Sequence, residues 1–489
     1  MLLARLLLLG LPALTLAQTP TFHIDTQLVE VPVVVRDRKS GAAVTGLTAK
    51  DFLLLENGKP QPIAFFSANP SSGPLTATVA PPRAASNRAT SDAAPLVAIL
   101  IDGFNARFED QYYAAEAAAR VIEQPELPAR LGLYFLGRQG LRILHDYSAN
   151  RPSLLRELRA RRAAGGTLAE LGRGSEFAII SAPSAEARRA AGDALQAEEE
   201  LRLRTTLASL TAIGRHLSAL PGRKSLVWLS AGFSQRTLLS RLPHLWRDTL
   251  TILNDANVAV YTIDSQGVRT SAGYLAESSS RDLVLRPRSS SPMGDTQVLS
   301  SLAEATGGLA YLNSNALAQS LRRAIQDSNA YYHLAYRSRL QPPPGSTISL
   351  QVKLPGKRGV TLRYRRTFQT RAPVTSRSAD RDRLLADAIV SPLLAGELGL
   401  TARLLPDQPL VRLTVVPGPP TFLVRCVQAS AQLDVLDDFT DQVTPGLPAT
   451  AEGLHYEMKF PRHPRARLLK IAVLDPATGR LGSIQLELP

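Results

Sequence analysis

Two acidic residues, Asp102 and Asp264, occupy positions where a ligand-binding or catalytic site could form. Asp102 and Asp264 directly follow the apolar runs LVAILI and VAVYTI, which have the pattern of buried strands. Open α/β sheets bind their ligands beyond the carboxyl ends of the strands, so these are the expected positions for a site. For Asp264 the simpler interpretation is an Asx turn into Ser265-Gln266-Gly267. Asp102 is therefore the first candidate.

No catalytic motif accompanies these carboxylates. The sequence contains no Gly-x-Ser-x-Gly elbow, no Walker-type phosphate loop and no His-Glu-x-x-His pair, and its seven histidines are scattered. The run Glu198-Glu199-Glu200 fits a solvated helix start, where acidic groups suit the helix dipole. The single cysteine, Cys426, lies in an apolar strand pattern and is expected to be a buried hydrophobe. We therefore expect no enzyme, and a hydrolase of extracellular polymer is disfavoured.

The composition is that of a globular protein with a basic surface. Hydrophobic residues make up 44% and charged residues 20% of the 489 residues, and the formal net charge is +14. The electrostatic field of a protein with this positive net charge attracts polyanions and anionic lipid headgroups. The arginines are dispersed, however, and no basic stripe interleaved with aromatic residues occurs. We expect a solvated basic surface and no nucleic-acid partner, and polyanion binding remains an alternative.

The elements that must position Asp102 and Asp264 alternate between strands and helices. Between residues 95 and 337, apolar runs are separated by helical patterns such as Leu201 to Leu220, where leucine and isoleucine recur at helical spacing. Repeated strand–helix units indicate right-handed crossovers and a largely parallel sheet. Residues 174–196 and 268–295 are expected to interrupt this α/β domain.

Strand patterns flank this domain on both sides. Residues 1–17 have the order of a secretory signal peptide, so we expect an exported protein, periplasmic or secreted, without a transmembrane segment. The remaining expected units are an N-terminal β-module (22–68), a linker rich in Pro, Ser, Ala and Thr (69–94), a β extension (338–372), a hinge and helix (373–399) and a C-terminal sandwich-like β-domain (400–489).

Three strings in one order resemble a known family. They are QLVEVPVVVRD with GLTAKDF and ENGKPQ, then LPGRKSLVWLSAGF, then VAVYTID followed by YYHLAY. Together they resemble the VWFA-related, acidobacterial-type family of exported proteins over roughly residues 22–368. The resemblance implies a fold of the α/β class, a Rossmann-like von Willebrand A domain preceded by a β-module.

Many von Willebrand A domains bind Mg²⁺, and the resemblance allows this chain to be compared with their site. The familiar site has an Asp-x-Ser-x-Ser loop, a Thr from a second loop and an Asp from a third. Asp102 and Thr167 match two of these positions, whereas Phe104, Ala106 and Ala231 replace oxygen ligands. Too few hard oxygens remain for Mg²⁺, so we expect no cofactor and a degenerate site, and Asp102 is expected to cap its loop. A metal would require Asn105 and Ser230 in a rearranged site.

A binding role follows from these expectations. The rim, defined as loops 102–108, 165–175 and 231–240, is predicted to contact a protein partner outside the inner membrane, as an adhesion or assembly module. Phe104 and Phe233 are candidate apolar anchors, although packing inward is an equal alternative. An envelope scaffold whose β-domains make the contacts is the rival hypothesis. The predicted rim residues are Asp102, Phe104, Asn105, Thr167, Ser230 and Phe233.

Overall fold

The computed structural model describes most of the chain after its first residues. The described residues are 27–68, 84–88, 95–106, 108–124, 130–148, 150–164, 184–267, 292–340, 342–371, 378–405, 410–444, 453–459 and 461–488. The predicted signal peptide (1–17), Thr167 and rim loop 165–175 lie outside them. None of the helices within these ranges is long and apolar enough to cross a membrane.

The elements are named here in chain order. The strands are β1 (Gln27–Asp37), β2 (Leu53–Glu56), β3 (Lys59–Gln61), β4 (Ile63–Ala68), β5 (Ala84–Ser86), β6 (Leu96–Asp102), β7 (Arg130–Gly137), β8 (Gly140–Ser148), β9 (Lys224–Ser230), β10 (Val258–Asp264), β11 (Ala310–Tyr311), β12 (Tyr332–Ser338), β13 (Thr347–Lys353), β14 (Val360–Arg363), β15 (Thr367–Gln369), β16 (Gly399–Leu404), β17 (Leu410–Val416), β18 (Phe422–Ala429), β19 (Val435–Val443), β20 (Leu454–Lys459), β21 (Leu468–Leu474) and β22 (Leu481–Glu487). The α-helices are α1 (Phe108–Ile122), α2 (Arg151–Ala164), α3 (Ala185–Leu217), α4 (Gln235–Arg241), α5 (Pro243–Asp255), α6 (Pro292–Thr306), α7 (Leu317–Ser328) and α8 (Ser378–Val390).

A mixed central sheet forms the middle of the molecule. Its strand order is β11-β10-β9-β6-β7-β8, and every neighbouring pair is parallel except β7 and β8. All seven residues of each of the strands β6, β9 and β10 are buried, because helices cover both faces of the sheet. The predicted α/β class is confirmed at this level. The antiparallel edge strand β8 was not predicted from the sequence.

Alternate residues of each central strand feed two separate cores. Leu96, Ala98 and Leu100 of β6 pack with α3, α4, α5 and α6, whereas Val97 and Ile99 pack on the other face with α1, α2 and α7. This alternation follows from the period of two in a strand. A sheet covered on both faces explains why its strands are continuous apolar runs rather than alternating ones.

Helix α3 is longer than the sequence pattern indicated. It begins at Ala185, with the Ser184 hydroxyl accepting a hydrogen bond from the Ala187 amide (3.1 Å), whereas leucine periodicity placed its start at residue 201. Residues 185–200 are rich in alanine, which favours helix without needing a core to pack on. The apolar stripe therefore marked the packed half of the helix and missed the rest.

The N-terminal strands and the strands after residue 331 form one β-sandwich. Its sheets are β14-β1-β12-β4 and β15-β13-β2-β3. Val31, Val33, Leu54, Tyr336 and Leu350 share its core. The β-module and the β extension, predicted as separate units, therefore belong to one unit, and β12, predicted within the α/β domain, belongs to it as well. Pairing between strands some 300 residues apart in sequence leaves no local signal, so this arrangement was not foreseen.

A second sandwich occupies the C-terminal part of the chain. Its antiparallel sheets are β20-β17-β16-β5 and β19-β18-β21-β22. Helix α8 covers the outer face of the second sheet through Leu385 and Ile389. Strand β5 lies within the predicted linker 69–94 but pairs with β16. Next to it, the Asn87 side chain bonds to the backbone of Ala395, Leu398 and Leu400 at 2.6–2.9 Å.

Two buried carboxylates join the three units. Asp327 of α7 accepts hydrogen bonds from Arg36 (2.8 Å), Arg363 and the Tyr261 hydroxyl, linking the first sandwich to the α/β domain. Glu397 bonds to Arg215 of α3 at 3.3 Å and to Arg371 at 2.5 Å, linking the α/β domain to the second sandwich. The side chains of both carboxylates are 3% exposed, so each arginine compensates a charge that water cannot reach.

Candidate functional site

The loop after β6 is organised around Asp102. One carboxylate oxygen, Oδ1, accepts hydrogen bonds from the backbone amides of Phe104 (3.0 Å) and Asn105 (2.9 Å). The other, Oδ2, accepts from Asn105 Nδ2 (2.8 Å), Trp228 Nε1 (3.2 Å) and Ser230 Oγ (2.6 Å). The side chain of Asp102 therefore fixes its own loop to the neighbouring strand β9.

Asp102 lies in the interior, with a relative exposure of 1%. Burial raises its pKa, and the hydrogen bonds from Ser230, Asn105 and Phe104 oppose that rise. The carboxylate oxygens face donors from the protein rather than solvent or an open coordination position. The chemistry that this geometry supports is structural: the carboxylate orients a loop.

The described residues do not fit a Mg²⁺ site. A hard cation in near-octahedral geometry needs several free oxygen ligands. Five donors already engage the carboxylate of Asp102, and apolar side chains occupy the three positions compared with oxygen ligands, Phe104, Ala106 and Ala231. No group of three or more His, Cys, Asp or Glu side chains suited to a metal occurs in the described part of the chain.

Asn105 and Ser230 are brought to Asp102, as part of its hydrogen-bond network. Asn105 Nδ2 also donates to Thr206 Oγ1 of α3 (2.9 Å), so the loop is tied to a helix as well as to a strand. Ser230 is fully buried, and its Oγ accepts from the Gly232 amide (3.1 Å). Both residues were predicted to be at the rim. The structure gives Ser230 no surface for a partner.

The two aromatic candidates differ. Phe233 is 6% exposed and packs against Trp228 with ring centroids 6.0 Å apart, so the inward-packing alternative holds and the prediction of an exposed anchor needs correction. An aromatic ring beside a buried tryptophan gains more from the core than from solvent. Phe104 is only partly buried, and the Arg202 guanidinium lies 5.9 Å from its ring centroid. Phe104 therefore remains at the surface of the rim.

Asp264 occupies the turn expected for it. Its Oδ1 accepts a hydrogen bond from the Gln266 amide (3.0 Å), and Gly267 follows with φ +68°. The residue is 1% exposed. This is the Asx turn that the sequence predicted.

Three charged residues lie beside the rim, and the sequence analysis singled out only Glu198, as part of a solvated helix start, whereas the helix begins at Ala185 and Glu198 lies in its interior. Arg138 lies in the turn between β7 and β8, and Arg202 and Glu198 lie on α3. The Glu198 carboxylate is 3.6 Å from Arg138 and 3.9 Å from Arg202. The sequence signal for Arg138 is the polar turn Arg138-Gln139 between two strands, and that for Glu198 is the acidic run 198–200. The approach of α3 to this turn is a tertiary contact that no local pattern reports.

Comparisons with known proteins give weak likenesses. No protein-family model matches the chain, and no curated protein matches it. Among solved structures, an aerotolerance-related membrane protein from Bacteroides fragilis NCTC 9343 is 13% identical, with a TM-score of 0.27, over 48% of this chain and 98% of that chain. An endonuclease/exonuclease/phosphatase from Beutenbergia cavernae DSM 12333 is 15% identical, with a TM-score of 0.12, over 34% of this chain and 39% of that chain. Scores this low carry no argument about function.

Proposed function

We propose that this chain is an exported, non-catalytic module that binds a protein partner, in adhesion or assembly, through the rim of a von Willebrand A-like domain. The observation that carries the proposal is the Asp102 network, in which protein groups tie the loop of Phe104 to its neighbours. A loop that is already tied down at the carboxyl ends of the strands loses less conformational entropy when it binds. Export rests on the signal-peptide pattern of residues 1–17.

A scaffold in which the β-domains make the contacts is the second candidate. The turn between β18 and β19 exposes Leu433 (61%) and Val435 (65%) to solvent. Two large apolar side chains exposed two residues apart in sequence favour a contact surface on the second sandwich. This surface belongs to a different unit from Phe104, so the two can be tested separately.

Site-specific photo-crosslinking separates the two candidates. A photo-crosslinking amino acid replaces Ala106 in the rim or Val435 in the second sandwich. Each variant is then irradiated in the cell envelope of the bacterium that makes the protein. We expect a discrete crosslinked protein from position 106 that disappears in a Phe104→Ser background, and none from position 435. The matched variant Leu433→Ser should leave the crosslink at 106 intact. Crosslinks from position 435 alone would instead favour the scaffold, and none from either position would reject both.

A further inference from the structure

Arg138 and Arg202 form a pair of cations beside Phe104. Their side chains are 59% and 38% exposed, and both approach a single carboxylate, Glu198. Good charge-assisted hydrogen bonds between guanidinium and carboxylate are about 2.7–2.9 Å long. The distances of 3.6 and 3.9 Å are longer, so Glu198 holds neither arginine tightly.

The other contacts of Arg202 leave a donor unused. Its guanidinium lies over the ring of Phe104, and its Nε is buried without a hydrogen-bond partner. The side chain as a whole is 38% exposed, so its guanidinium can still meet an incoming oxygen. Phe104 and Arg202 together offer an apolar surface with a cationic edge.

Other carboxylates on α3 are placed differently. Glu200 pairs with Arg204 at 2.6 Å, on the opposite side of the helix from Glu198 and Arg202. Glu199 lies about a quarter turn from Glu198 and is partly buried. The two arginines beside Phe104 therefore share the one loosely held carboxylate of Glu198.

We propose that Arg138 and Arg202 bind a carboxylate side chain of an acidic partner segment, which displaces Glu198. This inference rests on the proposed function and names its partner class: an acidic peptide segment. Planar guanidinium groups suit carboxylates because two parallel N–H donors match two oxygens. In this arrangement arginine supplies the positive charge at the rim that a metal ion would otherwise supply.

The test uses the full mature chain and a fluorescein-labelled hexaglutamate peptide, with hexaglutamine as the uncharged control. Binding is measured by fluorescence anisotropy at low salt. We expect hexaglutamate to bind and hexaglutamine not to bind. The double variant Arg138→Gln/Arg202→Gln should weaken hexaglutamate binding by at least about tenfold, because both charge-assisted contacts are lost. Arg138→Gln alone, at an exposed turn, should weaken it in the same direction.

Matched variants distinguish a site from the general basic field. Arg322→Gln/Arg323→Gln removes the same charge from exposed positions of α7 in the opposite helix layer, and should change affinity by less than about twofold. Glu198→Gln should tighten binding by about three- to tenfold because it frees both arginines. Glu200→Gln, which frees Arg204 on the other side of the helix, should not tighten it.

Three outcomes would overturn the inference. They are an equal loss of hexaglutamate affinity in the two double-arginine variants, an affinity for hexaglutamate that is no higher in Glu198→Gln than in Glu200→Gln, and no binding of hexaglutamate to the wild type. If hexaglutamate fails while the crosslink at position 106 persists, the rim binds a partner by other chemistry. If hexaglutamate binds as expected while position 106 gives no crosslink, the carboxylate site stands and the proposed protein-binding function fails.

Discussion

At the scale of single residues, Asp102 shows how a position suited to metal binding can serve the fold instead. Its place at a strand end could be predicted from the apolar run before it, and a capping role was expected from the missing oxygen ligands. The bonds of Trp228 to Asp102 and of Thr206 to Asn105 could not be predicted, because Trp228 and Thr206 come from another strand and from a helix. Sequence therefore located the residue, and only the tertiary structure explained it.

Removing the Asp102 carboxylate is predicted to destabilise the domain. In Asp102→Ala the buried donors of Trp228, Ser230 and Asn105 lose their acceptor, and we expect a loss of about 3–5 kcal/mol in the free energy of unfolding. Urea unfolding measures it. Asp193→Ala, at an exposed position of α3, should cost less than about 0.5 kcal/mol.

Urea unfolding of the wild type and of Asp102→Ala also tests whether Mg²⁺ binds at this carboxylate. Because the oxygens of Asp102 are already engaged, Mg²⁺ should leave the unfolding midpoint of the wild type unchanged, and calorimetric titration should show no binding heat. A stabilisation by Mg²⁺ that is absent in Asp102→Ala would contradict the structural role given to this carboxylate.

Lys224, the first residue of β9, is predicted to make the free energy of unfolding depend on pH between about 7 and 10.5. It is 3% exposed, its Nζ donates to the carbonyl oxygen of Leu220 (2.7 Å), and burial lowers its pKa to about 7 from 10.5. Between these pKa values the unfolded chain holds a proton at this lysine that the folded chain has released. The free energy of unfolding therefore rises with pH in this window, and the penalty for burying the charge is greatest below pH 7.

Lys224→Met should be more stable than the wild type at pH 7. The difference in the free energy of unfolding between the two proteins should become smaller by about 3 kcal/mol between pH 7 and pH 9.5. Urea unfolding at intervals of pH gives the two profiles. In the control Lys353→Met, at an exposed strand position, the difference from wild type should stay constant. Parallel profiles for Lys224→Met and the wild type would refute the assignment.

At the scale of elements, the junctions between units depend on buried ion pairs. Asp327→Asn would leave Arg36 and Arg363 without a counter-charge, and we expect a loss of about 3–5 kcal/mol. The comparison is Glu457→Gln, which breaks an exposed pair with Arg412 and should cost at most about 0.5 kcal/mol. Thermal unfolding of both variants checks this, and equal effects would mean that Asp327 does not hold the junction.

Strand β5 is predicted to need the Asn87 side chain in addition to its pairing with β16. Asn87 donates to the carbonyl oxygens of Ala395 and Leu398 and accepts from the Leu400 amide. Asn87→Ala should cost about 2–3 kcal/mol and speed hydrogen exchange at the Leu400 amide, because these backbone groups lose their partners. Arg403→Ala, on an exposed position of the neighbouring β16, serves as control. Unchanged exchange at Leu400 would show that β5 is held by its strand pairing alone.

At the scale of the whole molecule, sequence patterns predicted local elements better than their assembly. The α/β alternation was readable because each buried strand is a continuous apolar run, and the apolar half of α3 was readable from its helical spacing. The joint sandwich of early and late strands, and the recruitment of β5, depend on partners far away in sequence. The candidate site followed the same division: Asp102 and Phe104 were predicted from the sequence, whereas the grouping of Arg138, Arg202 and Glu198 was not.

The division of the first sandwich between two distant stretches of chain has a consequence for biosynthesis. Strand β1 leaves the ribosome long before β12, which pairs with it from Gln27↔Ser338 to Val33↔Tyr332. Until then the run VEVPVVV is an unprotected, aggregation-prone segment, which Pro32 interrupts in the manner of a gatekeeper residue. Because β12 follows the whole α/β domain in sequence, we expect β1 to need protection from aggregation for longer than the strands of that domain.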